Sequence, residues 1–200
     1  LEAFNRSSLY KVGPEFATYH DLLIILYESY IQTDQKERAA HILSLLHQHF
    51  PESAKKIELS ISLSSGDLNA LEEEIAQNPS NTAVASLLHS YEIKKKSVSK
   101  AQSLNILPGA GYLYVGQKQS ALTAFLLNGL FIAASVRFFQ QGHIAAGIIT
   151  TSFEAGWYFG GIYGAGEAAK TYNERIYEKQ ADVLLRKEKL FPLLMLRYGF

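Results

Sequence analysis

A chain of 200 residues with 48% hydrophobic content has room for one or two domains and can bury a sizeable core. Lysine plus arginine balances aspartate plus glutamate at 19 each, so no basic excess points to nucleic acid and any electrostatic message is local. The absence of cysteine excludes disulfides, thiolate catalysis and cysteine zinc sites, and leaves the redox compartment undecided.

The chain opens at Leu1 without methionine, which leaves room for a removed N-terminal segment, a signal peptide included. From Thr18 to Pro79 apolar residues recur at three- and four-residue spacing with polar breaks between them, predicting paired helices and no strand. Leu23, Leu26, Tyr27 and Tyr30, followed by Ala39, Leu43, Leu46 and Pro51, resemble the tetratricopeptide repeat, with Tyr27 and Leu46 large where that repeat takes a small residue. The resemblance implies that Leu23, Leu26, Tyr27, Tyr30, Ala39 and Leu43 line a groove. A degenerate second unit runs from Glu52 to Ser64 and from Leu68 to Gln77 around Gly66 and Asp67, and a helix from about Asn81 to Lys95 closes the stack.

Composition changes at Lys94, Lys95, Lys96 and Lys100. Pro108, Gly109, Gly111 and Gly116 predict a break in the helix lying near the surface, with Tyr112 and Tyr114 as interfacial anchors. Ser120 to Phe139 is then apolar apart from Arg137, and Ile144 to Ala165 apart from Glu154, with a short turn at Gln140 to His143. Runs of this length match a hydrocarbon core of roughly 30 Å and predict a membrane hairpin. Ser152, Gly156, Gly160, Gly164 and Ala168, four apart, form a small-residue line that Gly129 and Ala133 of the first run are placed to meet. Counted from the turn, Asn128 and Glu154 fall at one depth, which predicts a hydrogen bond between them. Beyond Glu167 the chain is charged and helix-prone, ending in the apolar LFPLLMLRYGF.

The expected architecture is therefore all-α. It comprises a tetratricopeptide-like repeat stack over residues 1–100, a Pro/Gly interfacial segment over 101–118, a two-helix transmembrane hairpin over 119–166, and a charged C-terminal helix with an apolar tail over 167–200. Pro108, Gly109, Gly111, Tyr114, Gly116, Asn128, Gly129, Tyr163, Gly164 and Asn173 resemble the pattern of an uncharacterised bacterial envelope family. In that family similar repeats precede a two-helix membrane domain opening with Pro-Gly-x-Gly-x-x-Tyr-x-Gly. The resemblance implies export, no assigned reaction, and repeats on the periplasmic side of the inner membrane. The lysines and arginines flanking the runs argue the opposite orientation, with both flanks in the cytoplasm.

Catalytic signatures are absent. No Gly-x-Ser-x-Gly or His-Glu-x-x-His occurs, and the glycine spacing fits no nucleotide fingerprint. His47 and His49, two apart, point away from each other on a helix, and Glu72, Glu73 and Glu74 read as a solvated face. The expectation is no catalytic residue, no metal, no cofactor and no nucleic acid. The partners expected are membrane lipid and another envelope protein or peptide segment held by the repeats. The role expected is that of an interaction or assembly factor, with a small oligomeric transport or channel component, or a soluble all-helical interaction domain, as alternatives.

Overall fold

The computed structural model describes residues 12–187, which fold into α-helices with no strand among them. In chain order these are α1 (Tyr19–Gln32), α2 (Lys36–His49), α3 (Pro51–Ser65), α4 (Leu68–Gln77), α5 (Thr82–Lys94), α6 (Val98–Leu104), α7 (Ala110–Tyr114), α8 (Lys118–Gln140) and α9 (Ile144–Lys187). They divide into two compact units, residues 12–86 with 180–187 and residues 87–179. The boundary thus falls inside α5 rather than near residue 100.

Local chemistry explains the helix ends of the first unit. Pro51 occupies the first turn of α3, where its missing N–H costs nothing, and Gly66 ends that helix at φ 71°, a conformation glycine adopts without strain. Asp67 caps α4 by accepting from Ala70 N at 3.1 Å, and Asn81 accepts from Val84 N at 3.3 Å at the start of α5.

Sequential helices pack on one another from α1 to α4. Leu23, Leu26, Tyr27 and Tyr30 form the buried stripe of α1 at helical spacing, and meet Ala39, Ile42 and Leu46 of α2 and Ala54 and Ile57 of α3. Here the groove expected from the sequence is corrected. Leu23, Leu26, Tyr27, Tyr30 and Ala39 are buried core residues and Leu43 packs partly buried against them, so these six hold helices together and present no open surface. Tyr27 and Leu46 are buried despite their size.

The second unit centres on α8 and α9, joined by Gln141, Gly142 and His143. Gly142 adopts φ 77°, and His143 N donates to Phe138 O at 2.9 Å, closing α8 with a left-handed glycine turn. The second apolar run and the charged segment after Glu167 are one helix of 44 residues, so the separate C-terminal helix expected from 167 onward is corrected. Gly166, Glu167, Ala168, Ala169 and Lys170 contain no breaker other than one glycine, and a change from apolar to charged composition does not by itself stop a helix. The apolar tail lies outside the described residues.

Among the described residues one helix, α8, is long and apolar enough to cross a membrane. Only 17% of its most apolar stretch is buried inside the chain.

Candidate functional site

The segment from α6 to the start of α8 breaks the helix as expected and has two sides: Ile106, Leu107 and Leu113 are exposed, while Asn105, Gly109, Gly111 and Val115 are buried. Asn105, 2% exposed, accepts at Oδ1 from Gly109 N at 3.1 Å and from Gly111 N at 3.2 Å, so one buried amide organises the Pro-Gly-x-Gly turn. Gly109 needs its freedom twice over: φ is +91°, and a side chain there would strike the Ala121 backbone of α8. Gly111 is hemmed in by the Ala101 carbonyl, with Ala165 Cβ and Asn105 Cβ both 2.8 Å from where its own Cβ would stand. Val115 is buried. Gly116, at φ +84°, faces open space and serves the turn alone.

The same segment bridges both limbs of the hairpin. Gly109 abuts Ala121, Gly111 abuts Ala165, the Tyr112 hydroxyl lies against Gly164, and Tyr158 donates its hydroxyl to Ile106 O at 2.9 Å. At the other end Phe139 packs against Gly147, where a Cβ would come within 2.7 Å of the ring. Ala121 and Ala165 are similarly distant from the turn, so α8 and α9 run antiparallel. Burial pushes the Tyr112 phenol above its ordinary value.

Tyr114 is held at its rim. Its hydroxyl accepts from Ser97 N at 3.2 Å, and the Lys96 and Lys100 ammonium groups lie 4.8 Å and 5.3 Å from its ring centroid. Pro108 is half-buried within the turn.

The inner face of α8 is set by Ala121, Ala124, Asn128 and Ser135, all buried. That of α9 includes Gly147, Glu154 and Ala165, buried, with Gly161 half-buried beside the Asn105 amide. Asn128 and Glu154 therefore both point inward, but the hydrogen bond expected between them is not formed. Asn128 Nδ2 donates to Ala124 O at 2.6 Å in its own helix, while Asn128 Oδ1 and both Glu154 oxygens have no partner. The carbonyl four residues back takes the amide donor, a local bond open to any asparagine within a helix. Arg137 is exposed near the turn, away from Glu154.

The small-residue line is corrected as well. Ser152 is exposed and bonds back to Ile148 O at 2.9 Å, and a Cβ on Gly129, Gly156 or Gly160 would meet nothing within 4 Å. Ala133 is exposed too. Only Gly164, against Tyr112, and buried Ala168 pack within the chain. Residues four apart drift about 40° around a helix at each step, so a line from Ser152 to Ala168 winds about 160° from the outer to the inner face.

The histidines have other company. His47 Nε2 lies 2.7 Å from Glu58 Oε1, His49 packs edge-on to Tyr19, and His20 Nε2 lies 2.8 Å from Ser53 Oγ. Sequence reasoning missed Asn105 and its two glycine contacts. The signal was an asparagine four residues before Gly109, at a spacing that lets a side-chain oxygen cap a turn.

No family model matches this chain, and no curated protein or solved structure matches it.

Proposed function

We propose that this chain is a membrane-anchored helical-repeat protein of the bacterial cell envelope, acting as an interaction or assembly factor rather than an enzyme. In this reading α8 and the first part of α9 form a two-helix transmembrane hairpin, and the helices before them are a short tetratricopeptide-like stack that holds a protein or peptide partner. Membership of the envelope family with the Pro-Gly-x-Gly-x-x-Tyr-x-Gly motif, an inner-membrane address and a periplasmic stack belong to the same proposal.

The observation that carries it is the apolar surface of the hairpin. Leu122, Phe125, Leu126 and Leu130 on α8, with Phe153 and Phe159 on α9, are each at least 58% exposed, and α8 lacks the charged outer face that a water-facing helix needs. Lipid is the cover that suits such a surface on both limbs.

One observation favours the transport alternative: the buried, unpartnered Glu154 and Asn128, together with the outward small residues Gly156 and Gly160 that a second copy could approach. Two spans per chain enclose a path only in many copies, and such a path has no need of the helical stack. Two measurements on the full chain separate the readings. Reconstituted liposomes should pass no small ions, and photocrosslinkers at exposed Ile25 and Ile61 should capture one defined protein in the native membrane. Ion flux that depends on Glu154, without a crosslinked partner, would favour the channel.

A further inference from the structure

Two ammonium groups meet on one aromatic ring beside the hairpin: Lys96 Nζ lies 4.8 Å and Lys100 Nζ 5.3 Å from the Tyr114 centroid. Both lysines are fixed at the backbone, Lys96 by Asn173, which bonds to its N–H and its carbonyl, and Lys100 by Ser97 Oγ, which accepts from its N at 3.2 Å. Among the described residues neither ammonium has an acidic partner. The nearby carboxylates are taken by other cations, Glu92 by Lys95 at 2.6 Å and Glu167 by Lys170 at 2.8 Å. Two like charges gathered on one ring repel each other, and here nothing in the chain neutralises them.

The third group of the cluster is the Tyr114 hydroxyl, which accepts from Ser97 N at 3.2 Å and keeps its own hydrogen to donate. The ring therefore collects donors, two of them charged. Lys100 is exposed and Lys96 and Tyr114 are half-buried, so a ligand can reach all three. Phosphate oxygens only accept, and lysine binds them as a point charge on a flexible stem.

Depth along α9 shows where this cluster stands. Counted from Ile144 at 1.5 Å rise per residue, Tyr158 is about 21 Å along the helix, Ala165 about 31 Å, and Ala168 and Ala169 about 36–38 Å. Ile106, bonded to Tyr158, thus falls inside a hydrocarbon core of roughly 30 Å, and Gly111, against Ala165, falls at its edge. Tyr114 packs on the buried cluster of Ala101, Val115, Ala168 and Ala169, in the layer of about 5–7 Å beyond the hydrocarbon that headgroups occupy. Ile106, Leu107 and Leu113, each at least 59% exposed, lead up to it.

We propose that Lys96, Lys100 and Tyr114 bind the headgroup phosphate of an anionic phospholipid, with its acyl chains in the leaflet that Ile106, Leu107 and Leu113 enter. The inference rests on the hairpin lying in a bilayer, as proposed above. A free phosphate or an acidic peptide would answer the charge and leave the apolar side chains uncovered. A choline headgroup carries its own cation, so two unpaired ammonium groups favour a lipid with net negative charge.

The test uses the full chain purified in neutral detergent, with thermal unfolding followed as phosphatidylglycerol, phosphatidylcholine of the same acyl chains, or inorganic phosphate is added. Above the dissociation constant, the folded-to-unfolded ratio should rise about tenfold for each tenfold rise in phosphatidylglycerol, and the other two should give no such rise. Lys96→Gln with Lys100→Gln should abolish the preference, whereas Lys118→Gln, at an exposed lysine that starts α8, should keep it. Should the double variant fail to fold, amine labelling of Lys96 and Lys100 in the wild-type chain, read by mass, should fall with phosphatidylglycerol alone while that of Lys118 stays. An equal response to both lipids, an equal response to inorganic phosphate, or a loss no greater in the double variant than in Lys118→Gln overturns the lipid site. Incorporation into phosphatidylcholine liposomes checks the hairpin separately: a chain that fails to incorporate sinks the bilayer reading and this site with it, and one that incorporates but shows no lipid preference sinks the site alone.

Discussion

Asn173 grips both backbone groups of Lys96: its Oδ1 accepts from Lys96 N at 2.7 Å and its Nδ2 donates to Lys96 O at 2.9 Å, across 77 residues of sequence. The pair occurs where α5 has ended and α6 has not begun, so these peptide groups have no helical partner. One side chain of α9 thereby closes a gap between helices of the same unit. Asn173→Leu should lower stability by about 1–3 kcal/mol, the net worth of two hydrogen bonds with part of the desolvation penalty. Asn173→Asp keeps the acceptor only, and should fall between wild type and leucine in chemical denaturation.

Two glycine substitutions should have opposite signs. Gly111→Ala drives a methyl into the Ala101 carbonyl and against Ala165 and Asn105, none of them the loose end of a flexible side chain, and should cost about 3 kcal/mol or more. Gly156→Ala meets open space on a helix and should be neutral or stabilise by up to about 1 kcal/mol through helix propensity. Melting temperatures in detergent compare them directly. If Gly156→Ala instead destabilises and reduces an oligomer, a second copy covers that face.

Asn105→Ala tests the lead-in turn from the other side. It leaves Gly109 N and Gly111 N buried without their shared acceptor, and should cost about 2–4 kcal/mol, beyond the loss of one ordinary hydrogen bond. Amide exchange at Gly109 and Gly111 should accelerate in the variant. Unchanged protection there would mean that the turn is held by its glycines alone.

Burial raises the Glu28 carboxyl above the ordinary carboxylate range, and its Oε1 has no partner. The folded state therefore holds a proton that the unfolded state releases, so this group lowers stability as pH rises from the ordinary carboxylate value through the raised one. Glu28→Gln should be more stable than wild type at neutral pH. The difference should shrink on acidification and vanish below about pH 4, where both states are protonated. Paired unfolding curves across that range check the sign.

Sequence and structure agree where local chemistry decides and part where tertiary contacts do. Pro51, Gly66 and Asp67 announced the ends of α3 and α4 because caps act within a few residues. Asn128 and Glu154 are both buried, as an inward-facing polar pair requires. Their hydrogen bond was not legible, because Ala124 O competes for the amide at closer reach. The close packing of Asn105, Gly109 and Gly111 escaped for a similar reason. Proline and glycine signal a break without saying what packs on it, and Gly111 against Ala165 is a contact across 54 residues. The groove misreading came from taking an apolar stripe as a surface when Leu23, Leu26 and Tyr27 were the seam between helices.

The central claim is that the hairpin of α8 and α9 lies in a bilayer, and its most direct test is extraction of native membranes with alkaline carbonate. The account predicts that the full chain stays in the membrane pellet and is released only by detergent, because the exposed Leu122, Phe125, Leu126, Leu130, Phe153 and Phe159 require lipid. Recovery of a monodisperse monomer in the carbonate supernatant would contradict it, since that apolar surface would then stand in water uncovered.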